Sequence, residues 1–136
     1  MMNGRLTFFA GIFILPVLLN WMTAGDDWTI GQFDGFNIYY TASDKQNITD
    51  YYGLIAEGTY TVQSFFEGPF KSEFDVLIHP NRHSLDSTWQ NDWVMPDFKS
   101  ECWMVASGVA TRLDMISPKL WIKEACEHDY ANLTKT

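Results

Sequence analysis

The feature that most constrains the fold of this 136-residue chain is a long helical repeat in its first half. Side chains suited to one buried face recur at steps of three and four, at Ile48, Tyr52, Ile55, Thr59, Val62 and Phe66. This spacing matches the turn of an α-helix and indicates that one face packs on a core. Ser43, three residues before Gln46, has the spacing of a capping box, and Gly68 followed by Pro69 is typical of a helix end. The sequence therefore predicts a helix over residues 44–67.

Segments with the composition of β-strands flank this helix. Phe36–Tyr40 has the composition of a strand and follows the turn-like Asp34-Gly35, and Phe74–His79, closed by Pro80, is typical of a buried strand. Farther along, Trp103–Met115 is predicted as one long or bent strand. This order of elements predicts an α+β fold with a small mixed sheet and one long amphipathic helix.

Two further segments have weaker signals. Residues 79–100 are polar and contain several Asn, Asp and Pro residues, so we predict a long surface loop there. Ser117 followed by Pro118 has the pattern of an N-cap with proline at the first helical position, which predicts a short helix from Lys119 onward.

Composition limits the domain count and the classes of partner. Hydrophobic residues make up 46% of the chain and aromatic residues 16%, enough for one core, and no repeat or linker divides residues 26–136. We therefore predict a single domain, or part of one. The net charge is −8, so phosphate backbones would be repelled, and neither nucleic acid nor an anionic membrane surface is an expected partner.

The amino terminus has the pattern of an export signal. Arg5 precedes the apolar run Leu6–Leu19, and small residues follow, so a cut after Gly25 or Ala24 is predicted. The run is shorter than the roughly 20 residues that a membrane-spanning helix needs. The protein is therefore expected to be secreted or periplasmic once residues 1–25 are removed. The alternative is an uncleaved anchor, and a membrane is expected as a partner only through that uncleaved signal.

Two cysteines in an exported chain are typically joined, because such proteins fold in an oxidising compartment. A bridge between Cys102 and Cys126 would close a loop of about 25 residues and stabilise the fold by about 3 kcal/mol, because it limits the unfolded chain. The alternative is two buried or reactive thiols. With the bridge formed, neither cysteine is free to bind a metal.

Carboxylate and imidazole groups gather near the carboxyl terminus, at Glu124, Glu127 and His128. Glu124 and His128 would share one face of a helix, and two or three such ligands bind a metal weakly. The alternative is a helix-end ion pair, or an interface with a further part of the domain.

Other candidate sites have less support in the sequence. His79 and His83 are four residues apart, but Pro80 disfavours a helix through both, so a solvated loop is favoured over a metal site. Neither the Gly-x-Ser-x-Gly pattern of a serine nucleophile nor a glycine-rich phosphate loop occurs in the chain.

The order strand, long helix, strand, strand and helix start resembles the amino-terminal half of the catalytic domain in exported gluzincin-type zinc metallopeptidases. The resemblance covers most of residues 36–128. It is carried by Phe36–Tyr40, the helix running into Phe65-Phe66, Phe74–Pro80, Cys102–Ala110, Ser117-Pro118, Trp121 and Glu124–His128. In that family these elements precede a helix bearing His-Glu-x-x-His, a motif that this chain does not contain.

The resemblance implies a peptidase in which two histidines and a third residue hold zinc while a glutamate activates the metal-bound water. Because this chain lacks those residues, the resemblance assigns it no catalytic residue and no cofactor, and zinc is expected only together with the missing helix. It implies that Ala106, Ser107, Gly108, Val109 and Ala110 form an edge strand along which a peptide or protein substrate lies. The alternative for this segment is an ordinary core strand.

The same resemblance predicts an incomplete metallopeptidase-like domain that is inactive alone and self-associates through uncovered apolar surface. The alternative is a non-catalytic secreted module that binds a glycan or peptide through exposed tryptophans. Trp89 and Trp93, within the predicted loop, are the pair expected to be exposed. Exposed tryptophans would favour the binding module, whereas an uncovered apolar sheet and helix face would favour the incomplete domain.

Overall fold

The computed structural model describes residues 27–70, 72–109, 111–124 and 126. Within them, one sheet contains the strands β1 (Thr29–Gln32), β2 (Phe36–Tyr40), β3 (Phe74–His79), β4 (Ala106–Val109) and β5 (Arg112–Ile116). The helices are α1 (Ile48–Phe65), α2 (Arg82–Asp92) and the single turn α3 (Trp121–Glu124), with 3-10 helices at Lys45–Asn47 and Pro118–Leu120. The predicted signal peptide, residues 1–25, and two of the candidate metal ligands, Glu127 and His128, lie outside the described residues.

The strands lie in the order β1-β2-β3-β5-β4. The three central strands β2, β3 and β5 run parallel, while the outer strands β1 and β4 each pair antiparallel with their neighbour. The predicted α+β class, with a small mixed sheet and one long helix, is confirmed. None of the helices in the described part of the chain is both long and apolar enough to cross a membrane.

One face of the sheet, which we call the α1 face, carries the larger core. Phe36, Ile38, Val76 and Ile78 are buried there together with Tyr51 of α1. Leu113 and Met115 of β5 share this face because they pair with Val76 and Ile78 across the ladder. Complete burial of one such aliphatic side chain stabilises the fold by about 1.5–3 kcal/mol.

The opposite face, which we call the α2 face, has a smaller apolar cluster. Leu85 and Trp89 of α2 pack on Ile116 of β5, and the partly buried Phe98 and Met104 close the cluster. Polar side chains share this face with the buried Leu77, since the residues that alternate with the α1-face positions also include Asp75 and Asp114.

The long helix confirms the predicted one, but its two ends differ in detail. No capping box forms: the Ser43 hydroxyl donates to Asp44, and no side chain accepts a hydrogen bond from an amide at the start of the helix. At the other end, the Gly68 amide donates to Gln63 O at 3.0 Å, and Glu67 has the left-handed φ of 54°. This is a Schellman ending in which glutamate occupies the position that glycine usually fills.

The predicted loop over residues 79–100 is wrong in its centre, where α2 forms. The Asn81 side chain accepts a hydrogen bond from the Ser84 amide at 2.9 Å and so caps the first turn. Only Leu85 and Trp89 mark the buried face by apolar character, while Ser84 and Thr88 are buried polar residues. The helix was missed because half of its buried face is polar.

The single strand predicted over Trp103–Met115 is also wrong. The segment forms two antiparallel strands, since β4 ends at Val109 and β5 begins at Arg112. Trp103 lies in a turn before β4, and Gly108 lies inside β4. The alternation of apolar and polar residues identifies strands but does not show where the chain reverses direction. It therefore does not distinguish a hairpin of two strands from one long strand.

Cys102 and Cys126 are joined, with their Cα atoms 5.7 Å apart, as the sequence predicts. Arg82, at the start of α2, holds the same region through its guanidinium group. It donates to the main-chain carbonyls of Glu101 and Cys102 at 2.9 Å each and pairs with the Glu124 carboxylate at 3.1 Å. The disulfide and Arg82 together fix the segment that leads into β4.

Candidate functional site

Strand β4 forms one edge of the sheet, and no strand in the described part of the chain pairs with its outer side. The Ile116 amide donates to Val105 O at 2.8 Å, which fixes the hydrogen-bonding phase of the β4–β5 ladder. In an antiparallel ladder, hydrogen-bonded residue pairs alternate with pairs that are not hydrogen-bonded. Ser107 and Val109 therefore direct their main-chain groups toward β5, whereas Ala106 and Gly108 direct theirs to the open edge. Two amides and two carbonyls are thus available to an added strand.

β4 is short, which limits an open edge, but it lacks three other features that block one. Its four residues include no charge and no proline, and its pairing with β5 runs without a bulge. The resemblance predicted an edge strand over Ala106–Ala110, and the structure has Ala106–Val109 at the sheet edge, while Ala110 lies outside the described residues.

Cavities flank β4 on both faces of the sheet. On the α1 face, a cavity of about 370 Å³ lies beside Gly108 and is walled by Phe70, Phe74 and Leu113. On the α2 face, a cavity of about 590 Å³ reaches Ser107 and Val109.

The cavity on the α2 face contains an ion-pair network centred on Arg112. Its guanidinium group donates to Asp114 at 2.9 Å and also contacts Asp92. Burial opposes the charge of Arg112, but the hydrogen bond that Arg112 donates to Asp92 and the charge of Asp114 outweigh it, so the pKa of Arg112 lies above its usual value. The two carboxylates therefore favour the charged form of Arg112.

His79, one of the two histidines considered as metal ligands, lies in a buried hydrogen-bonded chain at the end of β3. Its Nδ1 is 3.2 Å from Ser84 Oγ, and its Nε2 is 3.2 Å from Asp114 Oδ1. These are the residue types of a serine-hydrolase triad, but all three are buried, so a substrate has no access to the Ser84 hydroxyl. His83 lies exposed on α2, so the solvated loop predicted for the two histidines is wrong, because one ends a buried strand and the other lies in a helix.

A second buried polar network surrounds Asp44, which is fully buried. Its carboxylate accepts hydrogen bonds from Ser117 at 2.7 Å, Ser43 at 2.9 Å and Tyr51 at 3.1 Å. Lys119 lies 3.6 Å from the same carboxylate. Burial, followed by the charge of Asp44, raises the pKa of Tyr51 to about 12. The network joins the end of β2, the first part of α1 and the end of β5.

Of the three weak metal candidates, Glu124 is paired with Arg82, which favours the ion-pair alternative for this residue. Glu127 and His128 lie outside the described residues. Among the residues that the structure does describe, no group of three His, Cys, Asp or Glu side chains is placed to hold a metal ion.

Of the two tryptophans expected to be exposed, Trp93 is exposed and Trp89 is buried. Trp89 is 1% exposed and belongs to the core of the α2 face, whereas Trp93, stacked on it at 5.2 Å, is 39% exposed. Trp103 is 54% exposed, and no sequence signal distinguished it. Trp89 is buried because it lies on the inner face of α2, a helix that the sequence did not reveal.

An apolar groove is open on the α1 face between α1, β5 and α3. Its walls are Tyr51, Leu54, Ile55, Ile78, Met115, Pro118 and Trp121. Leu54 is 67% exposed at its rim, and Phe65, farther along α1, is 79% exposed. α1 therefore carries apolar side chains on two sides, and within the described residues the sheet covers only one of these sides.

Comparison of the chain with protein-family models, with curated proteins and with solved structures gives no match, so the fold and the sites described above carry the functional argument alone.

Proposed function

We propose that this chain is the peptide-binding half of an exported metallopeptidase-like domain, and that it holds an extended peptide on β4 without hydrolysing it alone. The observation that carries the proposal is the open edge of β4, with the main-chain groups of Ala106 and Gly108 directed outward and a cavity on each face. Main-chain hydrogen bonds to such an edge supply affinity, and flanking cavities accept alternate side chains.

The apolar groove supports the second part of the proposal. A metallopeptidase of the kind that the chain resembles needs a helix bearing His-Glu-x-x-His, and the sequence contains no such motif. The groove walled by Tyr51, Ile78 and Met115 is open along one side of α1 and suits an amphipathic helix. In this proposal the zinc-binding helix packs there, and the scaffold described above positions the substrate.

Paired variants at Ala106 test peptide binding. Ala106→Pro removes an outward amide and leaves the β4–β5 ladder intact, whereas Ala106→Val keeps the amide and only enlarges the side chain. We expect the valine variant to bind the fluorescein-labelled peptide Lys-Thr-Ser-Phe-Ser-Thr-Lys as the unmodified protein does, and the proline variant to bind it about five- to tenfold more weakly, the effect of one hydrogen bond.

Fluorescence anisotropy measures these affinities, and circular dichroism checks that both variants remain folded. Equal affinities of the proline and valine variants would contradict the proposal, because the peptide would then not use the edge of β4.

A second candidate function, glycan binding, is favoured by one observation. The partly exposed Trp93 lines the cavity of about 590 Å³ together with Asp75, Ser107 and Arg112, and an aromatic ring beside polar side chains is suited to a sugar. A glycan array with the unmodified protein and with Trp93→Ala tests it. Loss of a specific signal in the variant would support this function, and no signal in either protein would exclude it for the sugars tested.

A further inference from the structure

Gly108 is the one residue of β4 that combines an outward main chain with no side chain at all. It pairs with Leu113, so the missing side chain would lie on the α1 face. Neighbouring strands in a sheet are about 4.8 Å apart, so β5 with Leu113 lies that far from β4 on one side and an added strand would lie that far on the other. Because Gly108 has no side chain, the space between Leu113 and the side chain on the added strand is roughly two strand spacings wide. The cavity of about 370 Å³ is the space that results.

The walls of this space are aromatic and aliphatic. Phe70 and Phe74 meet edge to face, with ring centroids 5.8 Å apart, and Leu113 forms the floor behind Gly108. Phe70 is 45% exposed and so offers apolar surface to a ligand. Among the described residues that line this cavity, none is a carboxylate or a lysine, and Arg112, which is charged, is occupied by Asp92 and Asp114.

We infer that β4 selects peptides with an aromatic residue opposite Gly108, whose ring lies over the glycine and against Phe70, Phe74 and Leu113. This inference rests on the proposed function, because it needs a peptide on β4. When the peptide runs antiparallel, the residue opposite Gly108 exchanges both main-chain hydrogen bonds with it and directs its side chain to the α1 face. An aromatic ring on a neighbouring strand is the side chain known to cover a strand glycine.

The geometry provides a variant that fills the space without straining the protein. A Cβ added at Gly108 would meet Leu113 Cδ1 at 3.9 Å, which is ordinary van der Waals contact. Gly108→Val is therefore expected to fold, and a β-branched residue also favours the strand. Gly58→Val is the matched control, because it adds the same bulk on α1, outside β4 and the cavity, where an added Cβ meets nothing within 4 Å.

The test compares peptides Lys-Thr-Ser-Xaa-Ser-Thr-Lys with phenylalanine, alanine or asparagine at the central position, by fluorescence anisotropy. The unmodified protein and Gly58→Val should bind the phenylalanine peptide about tenfold more tightly than the other two. In Gly108→Val this preference should fall below about twofold, while circular dichroism shows that the variant is folded.

The outcomes separate the two proposals. Equal binding of all three peptides to the unmodified protein, or an undiminished phenylalanine preference in Gly108→Val, would overturn the aromatic site while leaving peptide binding on β4 in place. Failure of every peptide to bind would remove the proposed function itself.

Discussion

Replacement of Asp44 by alanine tests whether the buried network at the ends of β2 and β5 holds the fold together. The carboxylate is fully buried and accepts hydrogen bonds from Ser117, Ser43 and Tyr51 at 2.7, 2.9 and 3.1 Å. Hydrogen bonds to a charged group contribute about 1.5–3 kcal/mol each, and a hydroxyl left buried without an acceptor costs about 1–3 kcal/mol.

These contributions overlap, so their sum overestimates the effect of the substitution. Two of the three donors, the hydroxyls of Tyr51 and Ser117, form buried hydrogen bonds with Asp44, whereas the Ser43 hydroxyl is partly exposed and water replaces its acceptor. We therefore expect Asp44→Ala to lower the free energy of unfolding by about 3–5 kcal/mol, a large part of the total for a small domain.

The assay is urea unfolding of the oxidised chain from Asp26 onward, followed by tryptophan fluorescence. Ser43→Ala is the control, because it removes only the partly exposed donor and should lower the free energy of unfolding by less than about 1 kcal/mol. A loss below about 1 kcal/mol for Asp44→Ala as well would refute the reasoning and show that the network is not a main source of stability.

Three further predictions concern the helix end, pH and metal. Glu67→Gly should raise the free energy of unfolding by about 1 kcal/mol in the same urea assay, because the left-handed φ of 54° costs a residue with a Cβ but not glycine; an unchanged midpoint would contradict this. The pKa of Tyr51 is raised to about 12, so its contribution to the free energy of unfolding is complete below pH 10 and is lost as the pH rises from 10 to 12. Tyr51→Phe should lose this part of the pH dependence of stability, and a variant with the same stability profile as the unmodified protein would contradict the prediction. Calorimetry should show no stoichiometric zinc binding below micromolar concentration, and an assay with unfolded casein should show no cleavage that a chelator abolishes. Tight zinc binding together with chelator-sensitive cleavage would show that the chain is a peptidase as it stands.

The elements that the sequence predicted correctly are those whose buried residues are apolar and regularly spaced. Phe36–Tyr40, Phe74–His79 and α1 meet this condition, and their bounds agree with the structure within a few residues. Helix α2 fails it, because Ser84 and Thr88 are buried among its apolar residues. Periodicity detects a helix only where hydrophobicity and burial coincide.

The candidate sites depend on contacts between residues far apart in the chain, and that is why little of them could be predicted. Asp44 and Ser117 are 73 residues apart, and His79 and Asp114 are 35 residues apart, yet both pairs are within hydrogen-bond distance. Each pair meets only because β2, β3 and β5 lie side by side in parallel. The segment forming β4 was named from the resemblance, while its hairpin and its free main-chain groups required the sheet order.

Amide hydrogen exchange at β4, measured by NMR on the ¹⁵N-labelled protein, tests peptide binding most directly. Without peptide, the amides of Ala106 and Gly108 face the open edge and should exchange quickly, whereas those of Ser107 and Val109 are bonded to β5 and should exchange slowly. Saturation with Lys-Thr-Ser-Phe-Ser-Thr-Lys should slow the exchange of Ala106 and Gly108 at least tenfold and leave the other two unchanged. Fast exchange of both outward amides in the saturated complex would contradict the claim that β4 is the peptide-binding strand.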